Sequence, residues 1–175
     1  MGKRRAYYVY SFMRLAESCD AERFAKDHPD PVLIVTQQGV ADRGEYVTYA
    51  GVTEQAALAI HKGRRLPPGA EVHLIRKDLE TSSPGMITVG RSSKSDIMLT
   101  DPKVSKFHAY LVRDTKDRRH CRLADAESSN GTFLNGDRLP PRKLRRLKNG
   151  DHVRLGTNVL LKFYLPEGFW EMLTG

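Results

Sequence analysis

Two cysteines in 175 residues, Cys19 and Cys121, with no C-x-x-C pair, exclude a disulfide framework and a zinc-ribbon signature. No run of 18 apolar residues is present, so no segment is expected to span a bilayer as a helix. The basic start MGKRRAYYVYSFMRLAESC imitates a secretion signal, but Arg14 interrupts its apolar stretch and Glu17–Ser18 make a poor cleavage site. Ala6 stands where an N-myristoylation pattern requires Ser or Thr. A reducing cytoplasm is therefore the expected compartment. The equipment of an enzyme is missing as well. His108 and Cys121 form no recognisable nucleophile–base pair, and the remaining histidines fall in no metal-ligand spacing, so no catalytic residue, metal or cofactor is expected.

Charge is what the chain has in excess. Lys and Arg number 29 against 21 Asp and Glu, for a formal net charge of +8. Residues 1–66 contribute 10 basic and 8 acidic side chains (+2), which leaves 19 and 13 (+6) for residues 67–175. The run RLPPRKLRRLK at 138–148 holds Arg138, Arg142, Lys143, Arg145, Arg146 and Lys148 without an acidic residue between them. Such a run can meet nucleic-acid phosphates or an acidic partner, although a charge run is more often a solvated face. It lacks interleaved aromatics, and no helix-turn-helix, zinc-finger or RNA-recognition signature accompanies it.

The chain is long enough to bury about 70% of its unfolded surface, so a core without covalent staples is possible. HKGRRLPPGAE at 61–71 is the clearest break and sets the expected boundary between residues 1–66 and 67–175. In the first part, Asp20 caps a short helix running through His28, VLIVT (32–36) and EYVTYA (45–50) read as strands, and Thr53 caps a helix over EQAALAIHK. This part is expected to be a small α+β extension. Residues 7–18 fit strand and helix equally. After the break the pattern changes to two-residue alternation, with strands expected at 72–77, 86–91, 96–99, 108–114, 121–126, 132–136, 151–156 and 159–165. Eight short strands in that span predict a mainly β fold, an antiparallel β-sandwich. The closing PEGFWEML is expected to form a short helix whose Phe169, Trp170 and Leu173 cap it. Asn-Gly pairs at 130, 135 and 149 mark turns.

The polar residues of these loops share a chemical character. Arg91 follows Gly90 at a strand end, Ser105 and His108 stand three apart before another strand, and Ser128, Ser129 and Asn130 precede Gly131 in a third loop. A guanidinium, hydroxyls and an amide, with no carboxylate among them, suit an anion receptor. Four spaced elements occur in order: G-R at 90–91, S-x-x-H at 105–108, S-x-N-G-T-x-x-N-G at 128–136, and L-x-x-G-D-x-x-x-x-G at 147–156. Together, over about residues 72–165, this pattern resembles the forkhead-associated (FHA) domain, a phosphothreonine-peptide recognition module.

The resemblance implies a two-sheet sandwich whose loops at one end hold a phosphopeptide. Arg91 would take the phosphate bidentately, Ser105 and Ser129 would donate hydroxyls, Lys106 would add a point charge, and Asn130 would hold the peptide backbone. Gly90, His108, Gly131, Thr132, Asn135 and Gly136 would shape the loops. The sequence departs from the common pattern at Lys106, where many members carry Arg or Asn, and at Ser129, often Thr. The implied partner is a Thr-phosphorylated protein or a protein kinase, and the implied role a non-enzymatic signalling adaptor downstream of a Ser/Thr kinase. A phosphate-independent scaffold module and a basic nucleic-acid binder are the alternatives. Thr81, in the polar segment DLETSSPG, is a further site that a kinase could reach.

Overall fold

The unbroken apolar run VLIV at 32–35 forms the first half of a strand and is buried on both faces, and it accounts for the layering of the molecule. The computed structural model describes residues 7–39, 46–47, 69–77, 85–114, 117 and 119–175. One sheet consists of β1 (Tyr7–Tyr8), β2 (Val32–Gly39), β3 (Tyr46–Val47), β4 (Glu71–Leu74), β9 (Thr132–Leu134), β10 (Asp137–Arg138), β12 (His152–Leu155) and β13 (Val159–Tyr164). Its order is β1-β4-β2-β13-β12-β9-β10, with β3 paired to β2. The other contains β5 (Ile87–Gly90), β6 (Ile97–Met98), β7 (Ala109–Arg113), β8 (Cys121–Asp125) and β11 (Arg145–Arg146), in the order β11-β8-β7-β5-β6. Every named pairing is antiparallel except β5 with β6.

Leu33 and Val35 of β2 join Leu111, Leu123, Val153, Leu161 and Phe163 in the core between the sheets. Val32 and Ile34, pointing the other way, pack beneath three helices: α1 (Val9–Glu17), α2 (Ala21–Asp27) and α3 (Pro166–Thr174). Phe169 of α3 lies at 5.2 Å from the ring of Phe12 and 6.0 Å from that of Phe24. The indole Nε1 of Trp170 donates to the carbonyls of Ala16 (3.2 Å) and Cys19 (3.1 Å), so the last helix is fastened to the first. Burying a phenylalanine such as Phe24 or Phe169 contributes about 1.5–3 kcal/mol. Phe169 and Leu173 therefore cover the outer face of the larger sheet, a more specific position than the capping role read from the sequence.

The eight strands expected after the break are present with small shifts at their ends, and the short β1, β10 and β11 add to them. Residues 7–18 resolve into a two-residue strand followed by α1. The Asp20 carboxylate accepts from Arg23 N–H at 2.9 Å as the N-cap of α2. The expected boundary at 66/67, the helix capped by Thr53, Thr81 and the remainder of the 45–50 strand lie outside the described residues. What is described before the boundary does not stand apart from the sandwich, because β2 lies between β4 and β13 in the same sheet. Of the three Asn-Gly pairs, only Asn135–Gly136 has both residues at positive φ (52° and 94°), which closes the β9–β10 hairpin.

Candidate functional site

The loops that follow β5, β6 and β8 meet at one end of the sandwich, and Gly90 is where their packing begins. Its backbone runs directly against residues 105–106: a Cβ there would overlap the Lys106 carbonyl oxygen and lie 2.9 Å from that of Ser105. With glycine in place, Arg91 N–H donates to the Ser105 carbonyl (2.9 Å) and Ser92 N–H to that of Lys106 (3.1 Å). The exposed Arg91 side chain is steadied by Nε–H donating to the Val104 carbonyl at 3.2 Å. Its two Nη groups have no protein partner among the described residues.

Ser105 is the node of the arrangement. Its N–H donates to His108 Nδ1 (3.0 Å), and its Oγ accepts from Ser129 N–H (3.2 Å), which leaves the hydroxyl hydrogen to donate elsewhere. Because Nδ1 of the fully buried His108 accepts, the ring proton resides on Nε2 and is donated to the Gly131 carbonyl at 3.1 Å. The imidazole thus links the second loop to the third and has no nitrogen to spare as a base. Asn130 Nδ2 ties the same two loops a second time by donating to the Lys103 carbonyl at 2.9 Å. Lys103 and Lys106 are exposed, as is Arg91, and the backbone carbonyls of both lysines are bonded into this loop cluster.

One contributor was not singled out in the sequence. Asp125, only 2% exposed, accepts from Ser128 Oγ (2.6 Å), Ser128 N–H (3.1 Å) and Thr132 Oγ1 (2.7 Å). It sets the conformation of the loop that presents Ser129 and Asn130. The D-x-x-S spacing at the end of a strand, typical of an Asx turn, is the signal that could have revealed it. Gly131, at φ +80°, fits closely against Arg138, and Thr132 is fully buried at the base of the loop. Asn135 and Gly136 are elsewhere: their hairpin is tied to Asp151 Oδ1 (2.9 Å) and His152 N (2.9 Å) at the opposite end of β9. The structure therefore brings together Gly90, Arg91, Ser105, Lys106, His108, Ser129, Asn130, Gly131 and Thr132, but not Asn135 or Gly136.

Burial lowers the pKa of His108 below its usual value, more strongly than the Gly131 carbonyl and the Asp125 charge raise it. A histidine less easily protonated when folded stabilises the fold fully above its unfolded pKa, about 6.5, and loses that contribution as pH falls below it. The expected result is a Tm that declines below about pH 6.5, with a shallower decline in His108→Gln. Measured without ligand, so that phosphate titration plays no part, identical slopes in the two proteins would show that His108 is not responsible.

A sandwich whose convergent loops expose cations, hydroxyls and an amide defines a β-sandwich anion-recognition module. Compared with known families, residues 87–156 match the FHA domain. The DNA damage response protein kinase DUN1 of Saccharomyces cerevisiae is 35% identical over 102 residues, which cover 56% of this chain but 19% of the kinase. The chain accordingly spans about a fifth of that relative. The oxoglutarate dehydrogenase inhibitor of Corynebacterium efficiens is 27% identical over 133 residues, 73% of this chain and 87% of the relative. Among solved structures, an engineered FHA domain with a Myc-pTBD peptide covers 82% of this chain and 97% of its own, with a TM-score of 0.51 and 18% identity. That likeness establishes the sandwich fold. An FHA domain is a binding module, and among the described residues no group of three His, Cys, Asp or Glu side chains could hold a metal ion. No described helix is long and apolar enough to cross a membrane.

Proposed function

We propose that this chain binds phosphothreonine peptides and serves as a signalling adaptor downstream of a Ser/Thr protein kinase. The observation that carries the reading is the node at Ser105, whose backbone carbonyl holds Arg91 N–H (2.9 Å) while its Oγ holds Ser129 N–H (3.2 Å). These bonds hold the backbones of Arg91, Ser105 and Ser129 together, which supports a reading in which a guanidinium, two hydroxyls and the adjacent Lys106 ammonium serve one ligand. A phosphate carries about −1.5 to −2 charges and three strong acceptor oxygens, which this set can satisfy and a bare hydroxyl cannot. Arg91 grips the phosphate, Ser105 and Ser129 donate hydroxyls to it, Lys106 adds charge, and the Asn130 amide oxygen, opposite the Nδ2 bound to Lys103, accepts from the peptide backbone. The partner is a threonine-phosphorylated protein or a kinase, met in the cytoplasm, and no small-molecule substrate is involved. DUN1 is a protein kinase, which supports a place in a kinase pathway. The inhibitor, matched over most of its length, supports action by binding.

Calorimetric titration with a threonine peptide in phosphorylated and unphosphorylated form tests the proposal. Loss of two charge-assisted hydrogen bonds at about 1.5–3 kcal/mol each is expected to weaken binding by at least about 100-fold. Equal affinity for both peptides would refute phosphate-dependent recognition.

A further inference from the structure

Several arginines of the described structure are already engaged. Arg113 pairs with Asp30, Arg119 with Glu167, Arg142 with Glu127, and Arg154 lies over the Phe133 ring. Arg122, Arg145 and Arg146 are exposed and, like Arg14, Arg76 and Arg138, have no ion-pair partner among the described residues, but these three are gathered on two neighbouring strands. Arg145 and Arg146 constitute β11, the edge strand of the five-stranded sheet, and Arg146 stands directly across from Arg122 on β8.

The register makes this opposition close. Leu147 N–H donates to the Cys121 carbonyl at 2.9 Å, so 147 and 121 are a hydrogen-bonded pair and 146 and 122 the adjoining non-bonded pair. Non-bonded pairs bring their Cα atoms to about 4.5 Å, where like charges are destabilising. The same alternation turns the Arg146 N–H and C=O away from β8, toward an edge along which no described strand pairs. Charged residues on an edge strand are a common guard against unwanted pairing. A guard accounts for Arg145 and Arg146 but not for Arg122 on an interior strand, placed where it repels one of them. Leu144, exposed at 39%, adds apolar surface beside the edge.

We infer that β11 and Arg122 form a second docking surface, for an extended acidic protein segment that lies along the open edge with its carboxylates on the guanidiniums of Arg122 and Arg146, which share one face of the sheet while Arg145 lies on the other. The free N–H and C=O of Arg146 and the exposed Leu144 favour a peptide over a nucleic acid, since a polynucleotide answers the charge but not the strand edge. Arg122 lies three residues from Asp125, about 10 Å along β8 from the phosphate site, so the two surfaces can be occupied independently.

The test uses a fluorescein-labelled, unphosphorylated ten-residue peptide of alternating glutamate and valine, with a DNA duplex of similar charge as the rival probe. Wild type and Arg91→Ala are expected to bind the peptide equally. The triple variant Arg122→Gln, Arg145→Gln, Arg146→Gln is expected to bind at least tenfold more weakly, and its Tm, unchanged or raised by the removal of like charges, shows that it is folded. Amide exchange at Arg146 is expected to slow in the complex. Absent binding, equal binding by the triple variant, unaltered exchange at Arg146, or tighter binding of the DNA would each overturn the inference. Because the peptide carries no phosphate, failure here leaves the phosphothreonine reading untouched, and loss of binding in Arg91→Ala would show that the peptide occupies the other site.

Discussion

Arg91→Ala is expected to lower affinity for a phosphothreonine peptide by at least about 100-fold, since it removes the guanidinium proposed to grip the phosphate through two charge-assisted bonds. The fold should survive, because the side chain is exposed and, among the described residues, is tied only by the Nε–H bond to the Val104 carbonyl. Arg91→Lys separates charge from geometry. It keeps the cation but loses both the fork and that bond, and a loss of about tenfold is expected, intermediate between wild type and alanine. Fluorescence anisotropy with one labelled phosphopeptide gives all three affinities. Wild-type affinity in Arg91→Ala would mean that the phosphate is read by other groups.

The second large effect concerns stability. Asp125→Ala strips the acceptor from Ser128 Oγ, Ser128 N–H and Thr132 Oγ1 at once, two of those groups belonging to a residue no more than 9% exposed and the third to a fully buried one. Leaving buried donors unsatisfied costs about 1–3 kcal/mol apiece, partly relieved by loop adjustment and water, for a net loss of about 3–5 kcal/mol. For a chain of this size that is a fall in Tm on the order of 10 °C. Phosphopeptide affinity should fall too, because the disturbed loop carries Ser129 and Asn130. Asp125→Asn, which keeps the shape and one acceptor, should lose less. Urea unfolding decides: a loss below about 1 kcal/mol for Asp125→Ala would remove this residue from its organising position.

Much of the site was legible because its information is local and spaced. G-R, S-x-x-H and S-x-N-G-T each place a particular side chain at a strand end, and alternation of apolar residues located the strands between them. Asp125 escaped notice for a physical reason. Its importance comes from three hydrogen bonds within a buried loop, and an aspartate at a strand end looks the same in sequence whether it is solvated or serves as a hub. Asn135 and Gly136, expected as loop-shaping residues of the same motif, shape a different loop, since three residues of β9 carry them to a hairpin at the other end of the sheet.

From its residues alone this protein was determined to be a mainly β chain with loops rich in anion-binding groups. Alternation dictates which faces are buried, and arginine, hydroxyl and amide groups have definite preferences in what they bind. Tertiary structure alone decided that VLIV is sandwiched between a β-core and a helical layer, that His108 is neutral with its proton on Nε2, and that Arg122 and Arg146 face each other across an open edge. Those outcomes depend on strand order and register, and pairings between residues tens of positions apart are set by how the whole chain packs.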